Sequence, residues 1–204
     1  MIDFFYYHWG PYLLKTEVPQ YIVDRLLIDG KNKLKSYNTE LAGHLNNQFI
    51  YNDDTQFWFI NEIAETLNAY RQGHIEYHGE NYHGKIQEGR TTNFELDSLW
   101  VNYMKPGDYN PRHGHSGDLS FIIFLDIPNE LHKEQSEFKG RGTPPASLTF
   151  HYTPEARPQW ATTSKTFRPR TGEMFIFPAL LEHTVIPFKS DVTRITVSGN
   201  INMT

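Results

Sequence analysis

From Asp97 to the C-terminus the chain is a succession of short runs rich in β-branched and aromatic residues, each closed by Pro, Gly, Asn or Asp. This pattern restricts the fold more than any other feature. The runs at 97–104, 110–115, 118–127, 146–153, 163–168, 172–178, 182–187 and 192–201 read as strands of a mainly β, α+β chain, in an antiparallel sandwich or barrel. Eight strands fit a jelly roll. Leu119–Leu125 and Met174–Phe177 are almost continuously apolar, so those strands need cover on both faces.

Part of that cover comes from upstream. Asp54 or Thr55 is placed to cap a helix whose apolar residues Phe57, Ile60, Ala64, Leu67 and Tyr70 recur at three or four, with Gly73 placed to stop it. A weaker helical pattern runs from Tyr21 to Leu34 behind Pro19, with a loop at 41–45. Residues 1–95 are expected to form a helical and irregular segment that packs on a roll formed by 96–204, the whole being one structural domain. The segment 128–145, charged and Gly-containing, reads as a long mobile loop overhanging the roll, and Lys133, Lys139 and Arg141 would face an anionic or polar substrate beneath it.

Composition narrows the chemistry. A chain of 204 residues buries enough surface to do without covalent staples. It has no cysteine, which excludes disulfides, thiolate zinc sites, iron–sulfur clusters and a thiol nucleophile, and leaves His and carboxylates as metal ligands. A formal charge of −5 with no Lys/Arg run argues against bulk electrostatic binding of nucleic acid. No apolar run is long enough for a membrane span, and the first residues are acidic rather than basic, so the expectation is a cytoplasmic protein.

His113-Gly114-His115 carries the first chemical signal, because residues i and i+2 of a strand share a face and two imidazoles there can converge on one metal ion. Alone, the pair fits exposed turn residues equally well. A second signal follows: after the apolar strand 172–178, His183 opens the next run and can come to lie beside the first two. Arg194 and Thr196 share one face of the last strand. An Arg between Val192, Ile195 and Val197 needs an anionic partner, either a bound carboxylate or Asp191 or Glu182. Asn102 is a polar residue among apolar neighbours. His74, His78 and His83 read as exposed. No nucleophile elbow or phosphate-cradling loop is present.

Together, residues 97–201 resemble the iron(II)- and 2-oxoglutarate-dependent dioxygenases, in particular the prolyl-hydroxylase-like group and small oxygenases of bacteria and marine phages. Pro106-Gly107, five residues, then His113-x-His115 matches the approach to that family's first iron ligand. The stretch 172–183 matches the strand and turn before its distal His. Arg194-x-Thr196 matches the Arg-x-Ser/Thr that binds the C5 carboxylate of 2-oxoglutarate. The resemblance implies a double-stranded β-helix, Fe(II), O2, and hydroxylation of a C–H bond coupled to decarboxylation of 2-oxoglutarate. Asn102 would hydrogen-bond the cosubstrate or else satisfy a strand edge. A peptide side chain or a small metabolite is the implied substrate, and a phage-borne copy would act in its host cell; the oligomeric state is left open.

One position departs from the family. Its His-x-Asp or His-x-Glu pattern supplies a carboxylate ligand, and here that position holds His115. The candidate ligands are therefore His113 and His183, then His115 as the third; Asp118 can replace it if Ser116-Gly117 bulges the strand, and a water is the last option. The same residues approximate the two cupin motifs, but cupins do not require an Arg after the last His, so Arg194 favours the oxygenase. A cupin-type metalloenzyme without 2-oxoglutarate and a metal-free jelly-roll binding module are the alternatives.

Overall fold

The computed structural model describes residues 10–32, 34–78, 93–152 and 163–204. In chain order the elements are β1 (Leu14–Glu17), α1 (Gln20–Gly30), β2 (Lys35–Ser36), β3 (Gln48–Ile50), α2 (Asp53–Glu62), α3 (Ala64–His78), β4 (Phe94–Met104), β5 (Asn110–His113), β6 (Leu119–Asp126), α4 (Asn129–Glu137), β7 (Leu148–His151), β8 (Ser164–Phe167), β9 (Glu173–Pro178), β10 (His183–Val185) and β11 (Arg194–Met203). Each of the eight expected runs contains a strand. They form two antiparallel sheets, one of seven strands in the order β1-β9-β6-β11-β4-β3-β2 and one of four in the order β5-β10-β7-β8.

The large sheet divides the core in two, and the period-two alternation of its strands decides which residue goes where. Leu99, Val101, Phe121, Ile123, Val197 and Ile201 point outward and are covered by Ile22, Val23 and Leu26 of α1, Phe59 of α2, and Leu67 and Tyr70 of α3. Met104, Ile122, Phe124, Phe175 and Phe177 point into the roll against Leu148, Phe150 and Val185 of the small sheet. β6 and β9 are buried on both faces, as their apolar runs require. Each such Leu, Ile or Phe contributes about 1.5–3 kcal/mol, so the two clusters dominate stability.

Four local expectations change. The helix foreseen from residue 54 is two helices broken at Ile63, and its cap is Asn52, whose side chain accepts from the Thr55 N–H at 2.8 Å. Gly73 does not end it; α3 continues to His78, and a Cβ at Gly73 would collide with the Tyr12 hydroxyl. α1 stops at Gly30, whose carbonyl accepts from Tyr103 Oη at 2.8 Å. The N-terminal segment is not only helical and irregular, because β1, β2 and β3 extend the large sheet on both edges.

The expected mobile loop at 128–145 holds α4. Leu131 is fully buried, Gln135 donates to the Pro145 carbonyl at 3.0 Å, and Glu134 accepts from the Lys189 N–H and from the N–H and hydroxyl of Ser190. Burial would raise the Glu134 carboxyl, but those hydrogen bonds outweigh it and hold the group below its ordinary value. One buried Leu in a charged run gave too little periodicity to mark a helix.

Candidate metal centre

β5 and β10 are neighbours in the small sheet, and their register sets His113 directly opposite His183. His115 lies beyond the end of β5, so it is not placed by strand alternation. A turn with Gly117 at φ +90° returns the chain, and the His115 N–H donates to the Ala179 carbonyl at 2.8 Å. The three rings converge: each offers a nitrogen within 4.8 Å of the others, and Nε2 of His115 lies 3.4 Å from Nε2 of His183. Asp118 does not join them, because its carboxylate accepts from the Met203 N–H at 2.8 Å.

Two backbone carbonyls orient the rings. His113 Nδ1–H donates to Pro111 O at 2.7 Å and His183 Nδ1–H to Leu181 O at 3.2 Å, which leaves both Nε2 lone pairs facing inward. Burial, reinforced by His113, pushes His115 down to about 4; burial with His113 and His115 pushes His183 down to about 3. Both imidazoles are therefore neutral at neutral pH, the form that ligates a metal.

The rings open into a cavity of about 340 Å³ whose wall includes Gln48, Trp100, Asn102, Ile122, Ser198 and Asn200. Gln48, Asn102 and Thr196 lie in register across β3, β4 and β11. Gln48 Nε2 donates to Asn102 Oδ1 at 2.8 Å and Asn102 Nδ2 to Thr196 Oγ1 at 3.2 Å. Tyr37 and residues 40–43 of the strap 37–43 also line it, and no residue of 128–145 does, so Lys133, Lys139 and Arg141 do not face it.

Arg194 is 1% exposed yet has no carboxylate partner among the described residues. It donates to the Ala146 carbonyl at 3.3 Å and to Met104 Sδ at 3.7 Å, and its guanidinium lies 5.0 Å from the centre of the Phe124 ring. Its Nε–H has no acceptor among the described residues. Glu182, one partner the sequence allowed, instead pairs with Arg112. Burial lowers Arg194 to about 10, so it stays charged at neutral pH. Its head is not part of the cavity wall.

Gln48, Trp100 and the strap at 37–43 were missed in the sequence. Nothing local marks them. Ser198 and Asn200 had a signal, since they continue the i, i+2 series of Arg194 and Thr196 on one face of β11.

The model of the family described as "Putative 2OG-Fe(II) oxygenase" matches residues 98–200, half of the chain. The chain belongs to this family. The oxygenase matches no curated protein significantly. Among solved structures it is similar to the viral collagen prolyl hydroxylase of Paramecium bursaria chlorella virus-1, at 15% identity and a TM-score of 0.55 over 94% of this chain and 96% of that one. It is also similar to a Pseudomonas putida prolyl-4-hydroxylase, at 12% identity and a TM-score of 0.57 over 93% and 91%. The shared fold is the double-stranded β-helix, as the sequence led one to expect. Family membership makes Fe(II), 2-oxoglutarate and O2 the oxygenase's cofactor and cosubstrates, in place of the cupin alternative.

The three imidazoles fit the metal by geometry, and Arg194 fits the cosubstrate by its chemistry. Two nitrogens on one ion at about 2.1 Å stand roughly 3.0–3.5 Å apart, which matches the facing Nε2 atoms of His115 and His183. In the absence of a cation the same distance is bridged by a hydrogen bond, His115 in its Nε2–H tautomer donating to His183 Nε2. A buried guanidinium with no anion of its own fits a carboxylate ligand. No described helix of the oxygenase is long and apolar enough to cross a membrane.

Proposed function

We propose that the chain hydroxylates a peptide side chain or a small metabolite, with Fe(II) held by His113, His115 and His183 and the C5 carboxylate of 2-oxoglutarate held by Arg194 and Thr196. The carrying observation is the convergence of three rings whose tautomers are set by backbone carbonyls or whose charge is suppressed by burial. Bound iron would supply the oxidising chemistry that couples 2-oxoglutarate decarboxylation to insertion of oxygen into a C–H bond.

The chain's own contribution is positioning. Pro111 and Leu181 carbonyls keep the Nδ1 protons in place and the Nε2 lone pairs available. Arg194 supplies a fixed charge in a dry site, where a bidentate contact is strong. Asn102, held by Gln48 on one side and Thr196 on the other, is rigid enough to orient the cosubstrate. Trp100, 3% exposed, packs its ring 5.8 Å from that of His115 and limits water there. The prolyl hydroxylases of similar fold support a peptide substrate.

The test is anaerobic titration of metal-free protein with Fe(II) and then 2-oxoglutarate. One equivalent of iron should bind, and 2-oxoglutarate should then produce a weak visible charge-transfer band. His113→Ala and His183→Ala should each lose the iron. Stoichiometric iron in both variants would refute the assignment.

A further inference from the structure

We propose that the mouth of the cavity selects a cationic, hydrogen-bond-donating group, a primary ammonium or a guanidinium, on the substrate. This rests on the oxygenase reading of the same cavity and adds the class of substrate. Among the described residues the wall contains no Lys or Arg but two carboxylates, Glu40 from the strap and Asp97 from β4. Neither is ion-paired among the described residues. Glu40 accepts only a long bond from the Thr39 hydroxyl at 3.3 Å, and Asp97 only one from the Ser98 hydroxyl at 3.2 Å.

Two further features point the same way. Gln48, 2% exposed, lines the cavity with its Oε1 lacking a donor among the described residues, and Asn110 Oδ1 in the same wall also lacks one there. Unmatched buried acceptors favour a ligand rich in N–H donors. Tyr37 and Trp100 lie in the same wall with ring centroids 6.0 Å apart, tilted at 45°. Aromatic faces beside carboxylates attract a cation, both through the ring quadrupole and through direct charge. The fully buried cation, Arg194, sits outside this wall. The described wall thus carries negative charge at its exposed positions and no Lys or Arg to offset it. An anionic substrate would meet Glu40 and Asp97 with no compensating charge.

The experiment titrates the Fe(II)·2-oxoglutarate protein anaerobically with Nα-acetyl-arginine amide and Nα-acetyl-lysine amide, against the neutral citrulline and anionic glutamate derivatives. Binding is read by calorimetry and by perturbation of the visible band; calorimetry is repeated on metal-free protein. At least one cationic probe should bind about tenfold or more tightly than citrulline, and binding should weaken as salt rises from about 0.05 to about 0.5 M. Glu40→Gln and Asp97→Asn, both at exposed positions, should each weaken it by about three- to tenfold while the iron and 2-oxoglutarate band persists. Equal binding of citrulline, tighter binding of glutamate, no binding of either cation, or unchanged affinity in both variants would overturn the proposal. Absence of the visible band in wild type would instead refute the oxygenase reading, and the calorimetry would still decide the cation preference.

Discussion

Replacing Arg194 with Met separates a structural from a ligand-binding role. The lowering of the guanidinium from 12.5 to about 10 corresponds to about 3 kcal/mol by which its surroundings oppose the charge. Against that stand one hydrogen bond to Ala146 O, worth about 1 kcal/mol, and the Phe124 ring, worth about 1–2 kcal/mol in a dry setting. These nearly cancel, so Arg194→Met, which keeps the volume and removes the charge, should change the stability of ligand-free protein by less than about 1 kcal/mol. Had Arg194 been half of a buried ion pair, breaking it would cost about 3–5 kcal/mol. With ligand the comparison reverses. At 2-oxoglutarate one hundred times its Kd, wild type gains about 2.7 kcal/mol, which for a chain of this size raises Tm by about 5–10 °C. The variant should lose that shift. Thermal unfolding with and without 2-oxoglutarate, with Fe(II) present under anaerobic conditions, measures both quantities. A ligand-free loss above about 3 kcal/mol, or a retained shift with 2-oxoglutarate, would refute the reasoning.

His115→Asp supplies the carboxylate of the family pattern and should still bind one equivalent of Fe(II) by calorimetry; loss of iron would remove His115 from the ligand set. Gly199→Ala should destabilise by about 1–3 kcal/mol in denaturant unfolding, because a Cβ there would press on the Phe121 ring and lie 2.5 Å from the Ser98 carbonyl; an unchanged midpoint would show that β4 and β6 can yield. Glu134, held below its ordinary value, contributes stability above pH about 4.5 that is lost as pH falls through its folded value. Glu134→Gln should therefore flatten the acid limb of the stability curve, and a limb as steep as wild type would mean that the anchor of α4 does not depend on charge.

What the sequence determined by itself is whatever a short-range period can carry. Alternation and turn residues located the eight strands of the roll, and the continuous apolar runs of β6 and β9 announced burial on both faces. Histidine spacing and the Arg194-x-Thr196 pair singled out candidate site residues, and strand alternation by itself puts Arg194 and Thr196 on one face of β11. Tertiary structure decided what depends on which segments meet. The convergence of His113 and His183 is a register fact between β5 and β10, and His115 joins them only through a turn beyond the strand. Asp118 is withdrawn by Met203, a partner 85 residues away. Gln48 reaches Asn102 because β3 adds to the edge of β4, and Glu40 faces the cavity because the strap follows that edge. Within the charged run at 128–145, residues 129–137 became a helix pinned by hydrogen bonds from residues 189 and 190. Contacts of that separation leave no periodic trace, since each partner is chosen by the packed fold rather than by its neighbours in the chain.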